Sequence, residues 1–560
     1  MVNREIAAIF MEIADLLDLD GEKFKPEAYR RVARTLEQLP EDVSVLARDH
    51  RLTEIPGVGD ALAKKVAEFI ATGQVHYLEK LRGMHPPGLL AIMRLEGVGP
   101  KTTRRFNAEL GIENVDDLRK ALEDGRLDGL RGFGPKKIEM LRKAIGAMGG
   151  NRRLTLPVAQ SEAEAVMDAL KKAGVPFDRL SYAGSLRRRK ETVGDIDIIS
   201  TSSDPPRVTE AFVHIPQVGE VKLHGDTKAT IITTSQVQVD LRVVSPEAFG
   251  AALQYFTGSK DHNVRVRTIA QQKGIKVNEY GVTREETLLP TFTEEDVYAA
   301  VGLQYIPPEI RENNGEIEAA LEGKLPRLLA PGDVKGELHI HVNPDVTVDD
   351  LKPWAKALRE AGLSYGGFVI PTDGSKRMDW QGIRDRLPRK IENVGILVGA
   401  ELALESGVTV SEVPLGADFE ILRLATKPTS EPDSLLALLK TRADDGPRII
   451  IGHLDNLCGT EGNSQASSVV LSLTELASTI GDAKEKLSLE VAVTRDRVAL
   501  ESNLVRQAVD HGLSLVVSAC PETSEDLARI GLASGIAARG WARAEGVLNA
   551  HDAVFWQGGR

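Results

Sequence analysis

A short glycine-centred segment occurs three times within the first 141 residues, and it constrains the fold of this chain more than any other feature. The copies are IPGVGDALAKKV (55–66), LEGVGPKTTRRF (95–106) and LRGFGPKKIEML (130–141). Each copy lies between stretches whose apolar residues recur every three or four positions, so each predicts a tight turn between two helices. Glycine allows the positive φ that such a turn requires. We therefore predict that residues 1–150 are nearly all helical.

The same glycine turns predict contact with a nucleic-acid backbone. A turn of this kind exposes backbone N–H groups next to a helix N-terminus, which suits a phosphate oxygen and does not read base sequence. One copy alone would most often be an ordinary turn. Three copies, two of them followed by clustered Lys or Arg, favour helix-hairpin-helix binding to DNA. The glycines assigned to this role are Gly57, Gly59, Gly97, Gly99, Gly132 and Gly134.

From about residue 151 the pattern changes to alternating helices and strands. SEAEAVMDALKKAG (161–174) predicts a helix, and DIDIIS, KATIITT and VQVDLRVV predict strands because they are rich in β-branched residues. A second α/β region begins at GELHIHV (336–342). Its short apolar runs GGFVI, VGILVGAEL, RIIIGH and LSLVVSA alternate with helical stretches and predict a mainly parallel sheet or barrel. The main boundaries are expected near residues 150 and 330.

The net charge of −12 has the wrong sign for a protein that binds phosphates over its whole surface. About nine of the excess negative charges lie in residues 331–560, and basic clusters occur at 102–106, 134–143 and 186–190. DNA binding is therefore expected at local patches and with the help of metal ions. There is no run of about 20 uncharged apolar residues, and two cysteines are too few for a disulfide framework. These features predict a cytoplasmic, nucleoid-associated protein without a membrane span.

The segment AGSLRRRKETVGDIDIIS (183–200) carries the strongest chemical signal. Asp195 and Asp197 alternate along a predicted strand, so their side chains point to one face and can share a metal. A third carboxylate, Asp240, lies on a later predicted strand and can face the same site. Gly184 and Ser185 form a turn suited to a triphosphate, and the nearby Arg188 adds positive charge. An exposed edge strand is the alternative, which the upstream Gly-Ser and the downstream Asp make the weaker interpretation.

Three carboxylates at one site would repel one another without cations. Two Mg²⁺ or Mn²⁺ ions about 4 Å apart can activate a hydroxyl and stabilise a leaving pyrophosphate. The three aspartates therefore predict two-metal nucleotidyl transfer, with Asp195, Asp197 and Asp240 as catalytic metal ligands.

These motifs together resemble a known family. Gly-Ser, Asp-x-Asp and a third Asp, followed by LQYFTGSKDHNVRVR (253–267) and VNEYG (277–281), look like the family X DNA polymerases typified by polymerase beta. With the glycine repeats, nearly the whole chain resembles the prokaryotic branch, which carries a C-terminal polymerase and histidinol phosphatase (PHP) domain. The resemblance implies a multidomain α plus α/β fold. Its regions would be a lyase-like helical domain (1–85), helix-hairpin-helix fingers (86–150), a nucleotidyltransferase palm (151–245), a thumb (246–320), a linker (321–335) and a degenerate PHP-like barrel (336–560).

The resemblance also implies roles for individual residues around the incoming nucleotide. Tyr255 and Phe256 would lie against its sugar and reject a 2′ hydroxyl, although such a pair is more often part of a core. Gly258 would let the backbone approach. Asn263 would touch the base edge and Arg267 the templating strand. The residues expected to hold the triphosphate are Ser185, Arg188 and Gly194.

The first repeat aligns with the family's 5′-deoxyribose phosphate lyase region. Lys65 falls at the position of the Schiff-base lysine, and Tyr29 matches an aromatic residue of that site. Ala61 and Tyr77 replace two supporting lysines of the family, so contact of Lys65 with a DNA phosphate or solvent remains the alternative.

The C-terminal region departs from a working PHP site, which resembles a cluster of about nine ligands for three metals. Gly374 replaces a ligand His, Ser518 and Cys520 stand where Asp and His are expected, and no His lies near 421–428. We therefore expect weak or absent 3′–5′ exonuclease activity. Cys520 could instead ligate zinc beside His453. The matching positions, which could hold residual Zn²⁺ or Mn²⁺, are His339, His341, Asp373, Glu401 and His453.

The sequence as a whole predicts a template-directed repair DNA polymerase that fills short gaps. Its expected partners are gapped or primer-template DNA, dNTPs and other repair proteins, and the protein is expected to be a monomer. A template-independent nucleotidyltransferase is the alternative enzyme, against which YFTGSKDHN and the three repeats argue. A DNA-binding scaffold without activity is the other alternative, against which the complete set of three aspartates argues.

Overall fold

The structure is a computed structural model of the chain, in which two compact units comprise residues 1–152 and 153–560. No helix among the described residues is both long and apolar enough to cross a membrane. The structure describes residues 2–38, 43–48, 50–93, 95, 97–127, 130, 133–134, 137–142, 153–372, 378–404, 414, 416–424, 439–440, 442, 446–452, 473–480 and 486–557.

The first unit is helical, as predicted, and its helices bury one apolar core. Phe10 packs edge-on against Tyr29 with ring centroids 5.3 Å apart, and Phe106 contacts Phe133 at 5.2 Å. Each helix has an apolar stripe that must be buried, and these aromatic contacts hold the helices against one another. The helices are Val2–Asp20, Lys25–Gln38, Val43–Arg48, Asp60–Thr72, His76–Arg82, Leu89–Met93, Pro100–Leu110 and Val115–Glu123.

The glycine repeats form the turns that the sequence predicts. Gly57 and Gly97 adopt φ of +88° and +77°, where only glycine is free of strain. Gly59 and Gly99 precede the helices Asp60–Thr72 and Pro100–Leu110 as their N-caps. In the third copy Gly134 accepts backbone hydrogen bonds that begin the helical residues 137–142, while Gly132 lies outside the described residues. The first two copies thus present helix N-termini directly after the glycines.

A five-stranded sheet is the first large element of the second unit. Its strands are β2 (Arg179–Tyr182), β4 (Ile196–Thr201), β5 (Val218–His224), β6 (Lys228–Thr233) and β7 (Gln238–Val244), in the spatial order β2-β4-β7-β6-β5, with β4 and β7 as the parallel pair. The helix Leu156–Lys172 begins five residues earlier than predicted because Pro157 is accommodated in its first turn. β1 (Leu154–Thr155) and β3 (Thr192–Val193) pair antiparallel in a separate two-stranded sheet, and helices Gly184–Arg187 and Pro205–Phe212 lie between the strands in sequence.

Helices and a small antiparallel sheet follow the five-stranded sheet in sequence. Ser259 caps the helix Lys260–Gln272 by accepting a hydrogen bond from the backbone N–H of His262. Thr293 and Asp296 form a reciprocal capping box at the start of helix Glu294–Val301. The elements are helices Phe249–Thr257, Lys260–Gln272, Glu294–Val301 and Glu316–Leu321, and strands β8 (Ile275–Asn278), β9 (Gly281–Arg284) and β10 (Thr287–Leu289).

The C-terminal part contains a curved, mainly parallel sheet. Its strands run in the order β11-β12-β14-β15-β16-β17-β19, with β13 and β18 added antiparallel. β11 and β19 are not paired among the described residues, so these residues form a half-barrel rather than a closed barrel. The strands are β11 (Gly336–His341), β12 (Tyr365–Thr372), β13 (Lys390–Ile391), β14 (Val394–Leu404), β15 (Phe419–Leu424), β16 (Arg448–Gly452), β17 (Leu487–Val493), β18 (Val498–Ala499) and β19 (Ser514–Ser518), and the helices are Val348–Glu360, Trp380–Arg386, Leu473–Ile480, Ser502–Asp510, Ile530–Arg539 and Val554–Gln557.

Candidate active site

Two neighbouring parallel strands position the predicted carboxylates. β4 and β7 pair in a register that places Asp197 opposite Asp240. Asp195 lies directly before β4, since this strand begins at Ile196 and not at Asp195 as predicted. Asp195 and Asp197 still line the same cavity. The sheet thus brings two carboxylates to one cavity and places the third beside them.

The Gly-Ser turn lies directly against Asp197. Gly184 has φ of +61°, and a Cβ atom at this position would lie 2.5 Å from Oδ2 of Asp197. The backbone N–H of Ala183 donates to the carbonyl of Asp197 at 2.8 Å, which ties the turn to β4. Glycine is therefore required here both by backbone conformation and by close approach.

The electrostatics of the site depend on its like charges. Burial and the charges of Asp195 and Asp240 raise the pKa of Asp197 to about 7, against the opposing effect of Arg242 and Arg188. Several carboxylates that repel one another at neutral pH are suited to divalent cations, which prefer oxygen ligands. The donor set therefore fits Mg²⁺ or Mn²⁺.

Asp240 is oriented by its own sheet. Thr230 donates to Oδ1 at 2.5 Å, and Gln238 donates to Oδ2 at 2.7 Å. Asp240 does not itself line the cavity. Its charge nevertheless acts on Asp197, which it faces across the strand pair.

A cavity of about 460 Å³ brings together most of the residues that the sequence assigns to the nucleotide. Its walls combine two carboxylates, the glycine turn, an aromatic pair and several cations, a combination that suits a metal-bound, negatively charged ligand. The lining residues are Arg153, Gly184, Ser185, Arg188, Lys190, Gly194, Asp195, Asp197, Tyr255, Phe256, Gly258, Lys260, Asn263 and Arg267.

The aromatic wall of the cavity is built around Tyr255 and Phe256. Their rings meet edge to face at 5.2 Å, and the guanidinium of Arg242 lies 4.4 Å from the centre of the Phe256 ring. Asn263 accepts a hydrogen bond from Gln254 and donates to the carbonyl of Tyr255 at 2.7 Å. The Asn263 amide thus fixes the end of the helix that carries both rings.

Gly258 and Arg267 complete this side of the cavity. Gly258 has φ of +70°, and a Cβ atom there would lie 3.1 Å from Nη1 of Arg188. Arg267 donates from Nε to the carbonyl of Asn263 at 3.3 Å. The close approach of Gly258 to Arg188 explains why a side chain at position 258 would narrow the cavity.

A buried ion network supports the glycine turn. Arg187 donates to Oε1 and Oε2 of Glu294 at 2.8 and 2.6 Å, and Arg311, which is fully buried, donates to Oε1 of the same carboxylate at 2.5 Å. Burial opposes the charged form of Glu294, but the two arginines outweigh it and lower the pKa of this carboxyl to about 2. The network joins the turn to the helix Glu294–Val301.

Sequence analysis missed three cations of the cavity, Arg153, Lys190 and Lys260. Arg153 donates to the side chain of Thr192 at 2.9 Å and to its carbonyl at 2.6 Å. Burial lowers the pKa of Lys190. Lys190 is part of the basic run 186–190, which could have identified it, whereas no pattern distinguishes Arg153.

The first unit contains a second, separate cavity around Lys65. Its amine lies 4.9 Å from the centre of the Tyr77 ring, and Tyr77 stacks on Tyr29 at 6.5 Å. Lys64 and Lys80 line the same cavity, which has a volume of about 540 Å³. The side chains predicted for a lyase site therefore lie together, with Lys65 half-exposed.

The half-barrel brings three predicted PHP ligands together. His341 contacts Glu401 at 2.8 Å, and His339 lies 3.7 Å from the same carboxylate. On its other side His339 meets Glu490 at 2.6 Å and the sulfur of Cys520 at 3.4 Å. The sets His339–His341–Glu401 and His339–Glu490–Cys520 could each hold a metal ion, and the second offers the N, O and S ligands that zinc accepts. Asp373 and His453 lie outside the described residues.

Protein cations and hydrogen-bond donors satisfy several carboxylates near this cluster. Arg423 lies 3.4 Å from Glu401, on the strand where sequence analysis found no histidine. Glu337 accepts from the hydroxyl of Ser518 at 2.6 Å. Burial and Glu490 raise the pKa of the Cys520 thiol to about 11. Glu490 was missed, although a lone acid within the apolar strand LSLEVAV is a recognisable signal.

Three family models match parts of the chain. A DNA polymerase beta thumb matches residues 252–312, a helix-hairpin-helix domain matches residues 1–75, and a SAM-like helix-hairpin-helix tandem matches residues 89–147. The matches confirm the predicted helix-hairpin-helix regions and the predicted thumb-type region.

Curated relatives extend the similarity over the rest of the chain. The DNA polymerase/3′-5′ exonuclease PolX of Bacillus subtilis (strain 168) is 30% identical over 571 residues, covering 99% of this chain and 98% of that protein. DNA polymerase lambda of Rattus norvegicus is 23% identical over 334 residues, or 54% of each chain. DNA-directed DNA/RNA polymerase mu of Homo sapiens is 23% identical over 350 residues, covering 53% of this chain and 67% of that protein.

Proposed function

We propose a reaction for this chain from the premise that it belongs to the family X DNA polymerases and is a DNA-directed DNA polymerase of the repair type. The reaction is the addition of dNTPs to a primer 3′ hydroxyl in short DNA gaps. One observation carries it: Asp195 and Asp197 line a cavity together with the Gly184–Ser185 turn and several cations. In this proposal residues 151–245 act as the palm and 246–320 as the thumb.

The triphosphate is assigned to the basic side of the cavity. Ser185, Arg188 and Gly194, which the family resemblance assigns to the triphosphate, line the cavity, and Arg153 and Lys190 add positive charge to its lining. Cationic side chains that are fixed before the ligand arrives lower the cost of orienting the phosphates. Arg187, held by Glu294, keeps the turn in place and does not line the cavity.

The sugar and base are assigned to the aromatic wall of the cavity. Tyr255 and Phe256 form a rigid apolar surface that would lie against the deoxyribose and exclude a 2′ hydroxyl. Asn263 is assigned to the base edge. To contact the base, its amide would exchange the hydrogen bond that it now donates to the carbonyl of Tyr255. Arg267 is assigned to the templating strand.

Asp195, Asp197 and Asp240 are assigned as ligands of two Mg²⁺ or Mn²⁺ ions. These ions would supply activation of the hydroxyl and neutralisation of the charge that develops on the transferred phosphoryl group. The residues themselves hold the geometry, since Thr230 and Gln238 orient Asp240 and the strand register fixes Asp197 opposite it.

We also propose that the C-terminal domain is a degenerate PHP-like barrel with weak or absent 3′–5′ exonuclease activity. The support is the replacement of ligands at Gly374, Ser518 and Cys520, together with the cation Arg423 beside Glu401. Residual zinc or manganese would be held by His339 with either of its two partner sets. Residues 321–335 connect this domain to the thumb.

A single assay tests both proposals. A labelled primer at a one-nucleotide gap is incubated with Mg²⁺ or Mn²⁺, with and without dNTPs. We expect extension by one nucleotide with dNTPs and an unchanged primer without them. Primer shortening that His341→Ala abolishes would overturn the assignment of the C-terminal domain, and absence of extension with both metals would overturn the polymerase assignment.

A second activity, 5′-deoxyribose phosphate lyase, is favoured because Lys65 and Tyr77 line one cavity and Tyr29 stacks on Tyr77. The unprotonated Lys65 amine would attack the abasic aldehyde, and loss of the aldehyde oxygen as water would give a Schiff base. We expect borohydride to trap a covalent adduct with the wild type and Lys64→Ala, but not with Lys65→Ala. An adduct that persists in Lys65→Ala, or none with the wild type, would remove Lys65 from this role.

A further inference from the structure

The C-terminal domain contacts the backbone of Arg188, which follows the Gly184–Ser185 turn. Arg539, the last residue of helix Ile530–Arg539, donates from Nη1 to the carbonyl of Arg188 at 3.1 Å. We propose that Arg539 is a positioning residue for dNTP binding, so that the C-terminal domain serves nucleotide addition whether or not it has chemistry of its own. The inference rests on the proposed role of Arg188 as a triphosphate ligand.

A shared carboxylate links the two arginines. Oε1 of Glu312 accepts a hydrogen bond from Nε of Arg188 at 2.9 Å and forms an ion pair with Nη1 of Arg539, also at 2.9 Å. Arg539 also donates to the carbonyl of Glu309 at 3.2 Å. Its side chain is only 10% exposed, so these contacts are made with little competition from water.

Arg188 is oriented by this network and faces the cavity. It donates from Nη1 to the carbonyl of Thr257, next to Gly258, and both Arg188 and Gly258 line the cavity. Its side chain therefore links the Gly-Ser turn to the helix Phe249–Thr257, which carries the aromatic wall. A small displacement of Arg188 would change both sides of the nucleotide site together.

The charges explain why Arg539 matters for an anionic ligand. Burial opposes the charged form of Glu312. The positive charges of Arg539, Arg188 and Lys190 outweigh this effect and lower the pKa of Glu312, which is therefore ionised at neutral pH. Arg539 offsets part of this negative charge. Without Arg539, Glu312 would have Arg188 as its closest partner, and more of the Arg188 charge would be neutralised before the triphosphate arrives.

Two further contacts attach the same segment to the C-terminal domain. The side chain of Arg189 lies against Gly535, where a Cβ atom would come within 2.8 Å of its Cγ. Glu191 accepts from the backbone N–H of Ser502 at 2.8 Å, at the start of helix Ser502–Asp510. The segment 188–191 is thus held at several points by one domain, which favours a positioning role over an incidental contact.

The test compares steady-state gap filling by Arg539→Ala, Arg539→Lys and Arg529→Ala at varied dNTP concentration. Arg529 is a matched control because it makes its ion pair with Asp526 inside the C-terminal domain. We expect Arg539→Ala to raise KM for dNTP about tenfold with a smaller change in kcat. Arg539→Lys, which retains one positive charge, should give an intermediate KM, and Arg529→Ala should match the wild type.

A purely structural role would give a different result. Loss of folded protein lowers kcat per total protein and leaves KM unchanged, and that outcome in Arg539→Ala and Arg539→Lys would overturn the inference. If Arg539→Ala fails to fold, a KM for Arg539→Lys equal to that of the wild type has the same meaning. Arg188→Ala distinguishes failure of the proposed function from failure of this inference. An unchanged KM for dNTP in Arg188→Ala would remove the proposed role of Arg188. A raised KM in Arg188→Ala together with an unchanged KM in Arg539→Ala would remove only the inference.

Discussion

Asp240→Ala is expected to lower kcat for addition of one nucleotide by about 10³-fold, which corresponds to about 4 kcal/mol of transition-state stabilisation. Asp240 faces Asp197 across the β4–β7 pair and acts on its charge. Loss of one of three carboxylates should therefore weaken cation binding at the proposed metal site. The measurement is single-turnover extension at a one-nucleotide gap with saturating Mg²⁺ and dNTP.

Two companion variants make that result specific. Asp226→Ala removes an acid from the exposed turn between β5 and β6 of the same sheet, and it should retain wild-type kcat. Asp240→Asn keeps the size of the side chain between Thr230 and Gln238, and it should lose activity like the Ala variant. Binding of gapped DNA should persist in all three. Wild-type kcat in Asp240→Ala would show that the carboxylate has no part in the reaction.

Glu294→Gln is expected to destabilise the second unit by about 3–5 kcal/mol, because it leaves two buried guanidinium groups without their carboxylate. Arg311 is fully buried and Arg187 is largely buried, so water cannot replace the lost partner. The measurement is the denaturant midpoint of this unit. The neighbouring Glu295→Gln changes an exposed acid on the same helix and should shift the midpoint little.

The same ion network predicts a pH dependence of stability. The pKa of Glu294 is lowered to about 2 in the folded protein, against about 4.5 for an unperturbed glutamate. Its contribution is therefore fully present above about pH 4.5 and is lost as the pH falls through about 2. The stability difference between wild type and Glu294→Gln should narrow over this interval. A constant difference from pH 7 to pH 2 would contradict the assignment of the effect to the Glu294 charge.

The sequence predicted the parts of the site that depend on local pattern. Richness in β-branched residues identified β4 and β7, and glycine spacing identified the turns at Gly57 and Gly97, because positive φ at a helix start is a local requirement. The start of β4 was one residue wrong, since strand ends depend on pairing partners that a single sequence does not reveal.

Contacts between distant segments could not be predicted in this way. Arg539 reaches Arg188 across 351 positions of the chain, and Glu490 reaches His339 across 151. A single Arg near the end of an apolar helix, such as Arg539, has many ordinary explanations. Its contact with Arg188 is seen only when the packing of the C-terminal domain is known. Closure of the predicted barrel likewise depends on pairing between strands far apart in the chain, and the described residues form a half-barrel.

The most direct test of templated DNA synthesis is incorporation at a one-nucleotide gap in four separate reactions, each with one dNTP and Mg²⁺, for each of the four template bases. We predict addition of one nucleotide only where the dNTP is complementary to the template base. Addition that ignores the template, or that occurs equally on a single-stranded primer, would identify a template-independent nucleotidyltransferase. No addition in any reaction would contradict the polymerase assignment itself.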